Sequence, residues 1–257
     1  MKNFMKKGKF FSVLFLILLS VVFVPAVFAQ TKQSKSQSSK NQSTKNQSMI
    51  TAPDFFQQVS EKYASINQYE AKISIDANKT KMEGSVSFKK PSMLRIDFSQ
   101  PENQVVVYNG TELLIYLPRS SAVLRQNTAV DNEQSSTTSA ATQVLAPTGL
   151  SLMSRYYSVQ YENGPTAEPF DSENPKSKKV IKLLLTRKNN SESFRTMSIA
   201  IDPKTLLIYA IDAVTTNDEN FSFVFEDYVL NEEIPDTRFL YDIPPDANEY
   251  NNFLFTE

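Results

Sequence analysis

The sequence predicts a mainly β protein with short helices, built around a long antiparallel meander. The clearest sign is the stretch from Met82 to Pro118, where runs of β-branched, aromatic and long aliphatic residues are separated by turn signals. Similar runs fill the last third of the chain, and helical spacing of apolar residues is confined to two short segments. Strands that follow one another through short turns favour antiparallel neighbours.

The first predicted element is a helix at Thr51–Ile66. Thr51 and Asp54 form a capping pair, and Pro53 lies in the first turn, where its missing N–H is tolerated. Apolar residues then recur at helical spacing: Phe55, Phe56, Val59, Tyr63 and Ile66. The helix is therefore expected to be amphipathic, with one aromatic-rich face.

Alternation of apolar and polar residues predicts the strands after this helix. The Asn109-Gly110 pair between two of them is a hairpin signal. Gly84 is a candidate position for strong bending. The predicted strands are Tyr69–Ala77, Thr80–Phe88, Met93–Phe98, Gln104–Tyr108, Thr111–Leu117, Lys178–Lys188, Glu192–Asp202, Leu206–Val214 and Glu219–Leu230.

Three other segments do not read as strands. Arg119–Thr142 is rich in Ser, Thr, Asn and Gln and is expected to be a polar excursion outside the core. Val144–Tyr157 regains apolar residues around Pro147 and Gly149 and is expected to form short helical pieces. Gly164–Lys179 is a Pro-rich polar loop.

The N-terminus predicts export. Residues 1–29 combine four early lysines, an apolar run and the sequence Val27-Phe28-Ala29, so we expect a signal peptide cleaved near Ala29. An uncleaved anchor is the alternative, but the apolar run is short for a span of about 20 residues. Residues 30–48 contain no hydrophobic side chain and are expected to be a disordered polar linker. Residues 49–257 then form one domain.

Charge and composition exclude several classes of protein. Residues 49–257 carry all 28 acidic residues of the chain but only 19 of its 27 basic ones, a net charge of −9. This balance argues against a nucleic-acid partner, because phosphate binding needs a concentrated positive surface. The chain contains no Cys, so it has neither disulfides nor a cysteine that could carry a lipid anchor after the signal. We expect a protein of the periplasm.

The chain also contains no His, which leaves little for catalysis. A serine nucleophile would lack its usual base, and zinc would lose its commonest nitrogen ligand. Adjacent acids such as Glu226-Asp227 could serve a hydrolase in principle, but neighbours on a strand point to opposite faces. We therefore predict no enzyme, no catalytic residue, no metal and no cofactor.

A series of short motifs runs in order through the core. They are Gly84, Phe88-Lys89-Lys90-Pro91, Arg95, Pro101, Asn109-Gly110 and Tyr116-Leu117-Pro118, followed by Asn231, Ile234-Pro235, Phe239 and Ile243-Pro244-Pro245. Their order and spacing resemble the LolA family of periplasmic outer-membrane lipoprotein carriers, from Met49 to about Asn248.

The resemblance implies a curved, open antiparallel half-barrel of about 10–11 strands with a helical lid over its apolar concave face. It also implies a monomeric carrier of acylated lipoproteins, loaded by an inner-membrane lipoprotein-releasing ABC transporter; an outer-membrane acceptor is left open. In the family an arginine before the conserved proline is linked to holding the lid closed. Lys90 stands there in this chain and offers a point charge in place of a planar fork.

These expectations assign roles to particular residues. The lid residues that would contact lipid are Phe55, Phe56, Val59, Tyr63, Leu150 and Met153. The cavity wall would be formed by Leu94, Ile96, Phe98 and Phe223, although a one-residue shift in register would invert which side chains face inward. Lys90 and Arg95 would form the latch of the lid.

Two other functions stay open at this point. One is a module on the same scaffold that senses lipid or lipoprotein in the envelope without transporting it. The other is a hydrolase of lipid or glycan that would depend on carboxylates such as Glu226 and Asp227. The surplus of apolar side chains and the lack of His and Cys favour the carrier.

Overall fold

The computed structural model describes residues 50–78, 80–127 and 147–253. The predicted signal peptide and polar linker lie outside the described residues, as does most of the polar excursion. The described residues all belong to the predicted domain.

Within these residues the chain forms two α-helices and thirteen strands. The helices are α1 (Ala52–Ser65) and α2 (Pro147–Tyr156). The first six strands are β1 (Gln68–Ala77), β2 (Thr80–Lys89), β3 (Met93–Gln100), β4 (Val105–Tyr108), β5 (Glu112–Leu117) and β6 (Ala122–Asn127). The others are β7 (Tyr157–Tyr161), β8 (Glu168–Pro169), β9 (Lys179–Arg187), β10 (Phe194–Ile201), β11 (Ile208–Thr215), β12 (Asn220–Leu230) and β13 (Asn248–Asn251).

Twelve of the strands form one curved, open sheet in the order β13-β6-β5-β4-β3-β2-β1-β12-β11-β10-β9-β7, and β8 pairs with β9. All pairs are antiparallel except β13 with β6. The sheet thus joins two meanders, β1–β6 and β7–β12, through the pairing of β1 with β12. The predicted fold class is confirmed, with one parallel pair at an edge.

The structure has thirteen strands, against nine predicted from alternation and about 10–11 implied by the resemblance, because β6, β7, β8 and β13 were not recognised in the sequence. The most instructive is β6, which lies inside the segment predicted to be too polar for the core. Ala122, Val123, Leu124 and Gln126 are buried there, so that prediction was wrong for the first part of the segment. Strands β7, β8 and β13 have at most five residues, too few for alternation to stand out.

The two faces of the sheet differ in what covers them. One face carries α1 and α2 and holds a single large apolar cluster to which strands from both meanders contribute; we call it the covered face. The opposite, outer face carries the segment Ile234–Tyr241, which we call the strap. Ile234 and Phe239 of the strap are buried.

Gly84 lets the backbones of β2 and β3 approach closely. A Cβ atom placed on Gly84 would lie 2.3 Å from the carbonyl oxygen of Asp97 and 2.9 Å from the Cα of Phe98. The register between the two strands shifts at this point, which is the mark of a bulge. The sequence-based interpretation of Gly84 as a bending position agrees with this geometry.

We expect Gly84→Ala to destabilise the domain by at least about 2 kcal/mol, because backbone atoms would have to move apart to admit the methyl group. Urea unfolding followed by circular dichroism measures the effect. Ser85→Ala, at an exposed neighbour on the same strand, is the control and should change the free energy of unfolding by less than about 0.5 kcal/mol. Equal effects at the two positions would contradict the close-approach argument.

Candidate functional site

The two helices present apolar side chains to the covered face. Amphipathic spacing explains this for α1, whose N-terminus is capped by the Thr51 hydroxyl accepting the Asp54 N–H. Every predicted lid residue lies in the apolar cluster and is at most 5% exposed: Phe55, Phe56, Val59, Tyr63, Leu150 and Met153. The structure therefore brings both helical segments onto one site.

The predicted wall residues lie in the same cluster. Leu94, Ile96 and Phe98 on β3 and Phe223 on β12 are all buried there. The register β3–β2–β1–β12 places these side chains on the side of the sheet that α1 and α2 cover. The side-chain parity chosen from the sequence matches this arrangement, and a role of these residues in ligand binding stays a prediction.

A small polar network fixes the middle of this interface. The Tyr63 hydroxyl on α1 accepts the backbone N–H of Ile208 at 3.0 Å and lies 3.3 Å from the Tyr228 hydroxyl. The Tyr228 hydroxyl donates to the carbonyl of Ile208 at 2.9 Å. Burial raises the pKa of Tyr63 to about 12, so the hydroxyl stays neutral over the physiological range. The network anchors α1 to β11 and β12.

Two further contacts hold the ends of α1. At the C-terminal end the Lys90 Nζ donates to the carbonyl of Ala64 at 2.6 Å. At the N-terminal end the Tyr161 hydroxyl on β7 donates to the carbonyl of Ile50 at 3.0 Å. Lys90 thus contacts a helix-terminal carbonyl through a single donor, and partial burial lowers the pKa of its ammonium group.

Arg95 is not placed at the lid. It alternates with Leu94 and Ile96 on β3 and therefore points to the outer face. There its guanidinium donates to both oxygens of Asp97 and to the carbonyls of Arg238 and Leu240 in the strap. The expectation that Arg95 latches the lid is corrected to a contact with the strap, because residue parity sends its side chain away from α1.

Asp97 is the centre of this outer-face network. Arg95 and Arg238 both bond to its carboxylate, and the Arg238 Nε donates to the Ser87 hydroxyl at 3.3 Å. Burial alone would raise the pKa of Asp97, but hydrogen bonding and the two positive charges outweigh it and lower the pKa below its ordinary 3.8. At one end of the strap, Lys89 donates to the carbonyl of Ile234 at 2.7 Å.

Sequence reasoning missed Tyr228, which completes the network on α1. Phe221, Phe223 and Phe225 alternate onto the covered face, and strict alternation would send Tyr228 outward. Asp227 has φ of 52° and lies in a bulge of β12, where three residue steps from Glu226 to Val229 face two in β1, so the parity of the residues after it is shifted. An acidic residue in the left-handed region within a strand leaves only a weak signal in sequence.

The side chains that line the site are almost all apolar. Among the described residues, no group of three or more Asp or Glu side chains is arranged to hold a metal ion, and the chain has no His or Cys. Neither described helix is long and apolar enough to cross a membrane. What the arrangement offers is a large apolar face covered by two helices.

Comparison by sequence gives one family. Residues 57–159 match the family model described as outer membrane lipoprotein carrier protein LolA. The LolA resemblance is confirmed. The match begins within α1 and ends within β7, so this LolA-like region contains the first meander, α2 and most of α1. No curated protein matches the sequence.

Solved structures show distant similarity to this chain over both meanders. An uncharacterized conserved protein from Thermus thermophilus superposes with a TM-score of 0.48 at 10% identity, over 76% of this chain and 98% of that one. The MucA/MucB complex of Pseudomonas aeruginosa superposes with a TM-score of 0.45 at 10% identity, over 77% of this chain and 62% of that one. Lipoprotein LppX of Mycobacterium tuberculosis superposes with a TM-score of 0.44 at 12% identity, over 71% of this chain and 98% of that one. These similarities add nothing about function.

We expect Tyr63→Phe to destabilise the domain by about 1–3 kcal/mol, because it keeps the ring but leaves the buried N–H of Ile208 without its acceptor. Thermal and urea unfolding measure the change. Tyr161→Phe is the matched control; it removes a hydroxyl from a partly exposed tyrosine, and water can replace the bond to Ile50. A Tyr63 variant as stable as the wild type would contradict the anchoring role of the hydroxyl.

The strap is expected to loosen in acid. A carboxylate with a lowered pKa stabilises the folded state above its unfolded pKa, and this stabilisation is lost as pH falls through the folded value. Acidification below pH of about 3.8 should therefore increase hydrogen exchange in the strap, as measured by mass spectrometry.

The substitution Asp97→Asn should produce the same loosening at neutral pH, at a cost of roughly 1–3 kcal/mol, because it leaves two guanidinium groups without their carboxylate. Asp236→Asn breaks an ion pair whose carboxylate is 75% exposed, and we expect it to cost less than about 1 kcal/mol. Greater protection of the strap in Asp97→Asn than in Asp236→Asn would refute the assignment.

Proposed function

We propose that this protein is a periplasmic carrier that binds the acyl chains of lipoproteins between its covered face and its two helices. The observation that supports this most directly is the continuous apolar cluster, to which α1, α2 and both meanders contribute. Acyl chains need a large apolar surface and no reactive groups, and this site has that composition.

The free energies of acyl-chain burial and of lid opening are similar in size, which favours reversible binding of the ligand. Burying acyl chains gains about 0.8 kcal/mol per methylene, so one sixteen-carbon chain gains on the order of 10 kcal/mol. Opening the closed form exposes the six lid side chains, at about 1.5–3 kcal/mol for each one fully exposed. The two terms are similar in size, so lid closure competes with the ligand and keeps the net affinity moderate.

The polar contacts of α1 fit such a mechanism. Tyr63 and Lys90 hold the helix at separate points, and each bond contributes on the order of 1 kcal/mol net. These bonds orient the closed lid without making it permanent. Lys90 donates to the carbonyl of Ala64 through one atom, whereas the planar fork of an arginine could donate from two nitrogens.

The remaining parts of the proposal concern the cellular route. The signal peptide would direct export, with cleavage near Ala29, and the monomeric carrier would accept its cargo from an inner-membrane lipoprotein-releasing ABC transporter. An outer-membrane acceptor would then receive the cargo. We propose no enzymatic reaction. A sensor on the same scaffold would bind acyl chains without handing them on.

Site-specific photo-crosslinking tests the binding face. A photoreactive residue at buried Phe56 should capture acylated lipoprotein in the cell envelope, whereas the same residue at exposed Gln58 on the opposite side of α1 should not. Mass spectrometry of the adducts identifies the acyl groups. Equal capture at both positions, or capture of unacylated protein only, would refute the proposed site.

A transfer assay separates carrier from sensor. Purified protein loaded with acylated lipoprotein is mixed with outer-membrane vesicles, and the lipoprotein that leaves the protein is measured over time. We expect a carrier to release its cargo. Stable retention of the cargo would support the sensing alternative.

A further inference from the structure

One buried side chain beside the sheet has a donor without a partner in the described part of the chain. Gln104 directly precedes β4 and is only 5% exposed, and its Nε2 makes no hydrogen bond to residues 50–78, 80–127 or 147–253. An amide N–H buried without a partner is unfavourable, and most such groups in folded proteins are bonded. A partner from outside the chain would remove this cost.

The register of the sheet places Gln104 at the rim of the covered face. Its carbonyl accepts the N–H of Phe98 at 2.9 Å, so the two residues lie opposite each other on neighbouring strands. Gln104 also has the same strand parity as Val106 and Tyr108, which belong to the apolar cluster of that face. Continuing the pairing of Val105 with Tyr116 by one residue brings Leu117 to its other side.

These neighbours define what the amide can recognise. Phe98, Val106 and Leu117 are apolar and offer no side-chain acceptor. A single neutral donor among such groups suits a neutral acceptor attached to an alkyl chain, because an anion would call for several donors or a positive charge. The carbonyl oxygen of an ester or amide at the head of an acyl chain meets this description.

We propose that Gln104 is a specificity-determining residue that donates a hydrogen bond from Nε2 to the carbonyl oxygen of an acyl ester or amide. The proposal rests on the proposed binding of acyl chains at the covered face and adds how the head of the chain is recognised. The hydrocarbon would run from the rim inward along Phe98 and Val106. Gln104 lies just before the first residue of β4, at the edge of the face, which suits a carbonyl next to a polar head group.

A second glutamine provides a matched control. Gln126 on β6 is also buried, at 2% exposure, and shares the parity of Leu124 on the covered face. Its amide is already engaged, since its Nε2 donates to the carbonyl of Asn127 at 3.0 Å. Replacing either glutamine by methionine keeps the length of the side chain and removes the amide.

The test compares two lipids that differ at one carbonyl. Binding of 1-palmitoylglycerol, an ester, and of 1-hexadecylglycerol, its ether analogue, is measured on the full chain by displacement of a fluorescent alkyl probe. We expect the wild type to bind the ester about two- to tenfold more tightly, the range that one net hydrogen bond provides. Gln104→Met should abolish this preference, and Gln126→Met should retain it.

The melting temperature of the Gln104→Met variant tests the proposal independently of lipid binding. Because the Gln104 Nε2 donor has no partner among the residues that the structure describes, Gln104→Met should leave the melting temperature unchanged or raise it. A marked drop in melting temperature would contradict the proposal by showing that the amide has a partner within the chain.

The outcomes separate this inference from the proposed function. Equal affinity of the wild type for both lipids, or an ester preference that survives in Gln104→Met, overturns the role of Gln104 while acyl binding stands. Failure of the wild type to bind either lipid contradicts the proposed function and this inference with it.

Discussion

The pairing of β1 with β12 is the constraint on which the rest of the structure depends. It joins a strand near the beginning of the domain to one near its end and makes one sheet of two meanders. Opposite Ile73, Ile75 and Ala77 of β1 stand three phenylalanines of β12, so large rings meet smaller side chains on the covered face. Without this pairing neither meander would present a surface wide enough for both helices.

Different interactions hold the helices on one face of the sheet and the strap on the other. The covered face relies on apolar burial, with a few hydrogen bonds from Tyr63, Tyr161 and Lys90 that fix where α1 lies. The outer face adds charged groups, with Asp97 between two guanidiniums, to the burial of Ile234 and Phe239 in the strap. Separation of these systems means that movement of the helices would not require the strap to move.

Strong periodicity made most of this arrangement predictable. The helical spacing from Phe55 to Tyr63 and the alternation from Leu94 to Phe98 each identified an element and its buried side.

The short strands were not predicted because they depend on tertiary pairing. Strand β6 is buried between β5 and β13, although its surroundings in sequence are polar. The same alternation places the Arg95 side chain on the outer face. Its partners in the strap lie about 140 residues further along the chain, so they could not be inferred from the neighbouring sequence. Tyr228 was missed because Asp227 shifts the strand parity. Gln104 was missed because a polar residue at the start of a predicted strand is ordinary in sequence, and only the packed structure shows that its donor has no partner among the described residues.

The parallel pairing of β13 with β6 has a consequence for the behaviour of the protein in a crowded solution. An open sheet edge is a template on which another chain can add a strand, and β6 would offer such an edge beside a large apolar face. The chain covers this edge with its own β13, which consists of four exposed residues, Asn248–Asn251, that continue the sheet poorly. We expect this strand to leave little edge on which a second chain could add, because very short edge strands disfavour extension of a sheet.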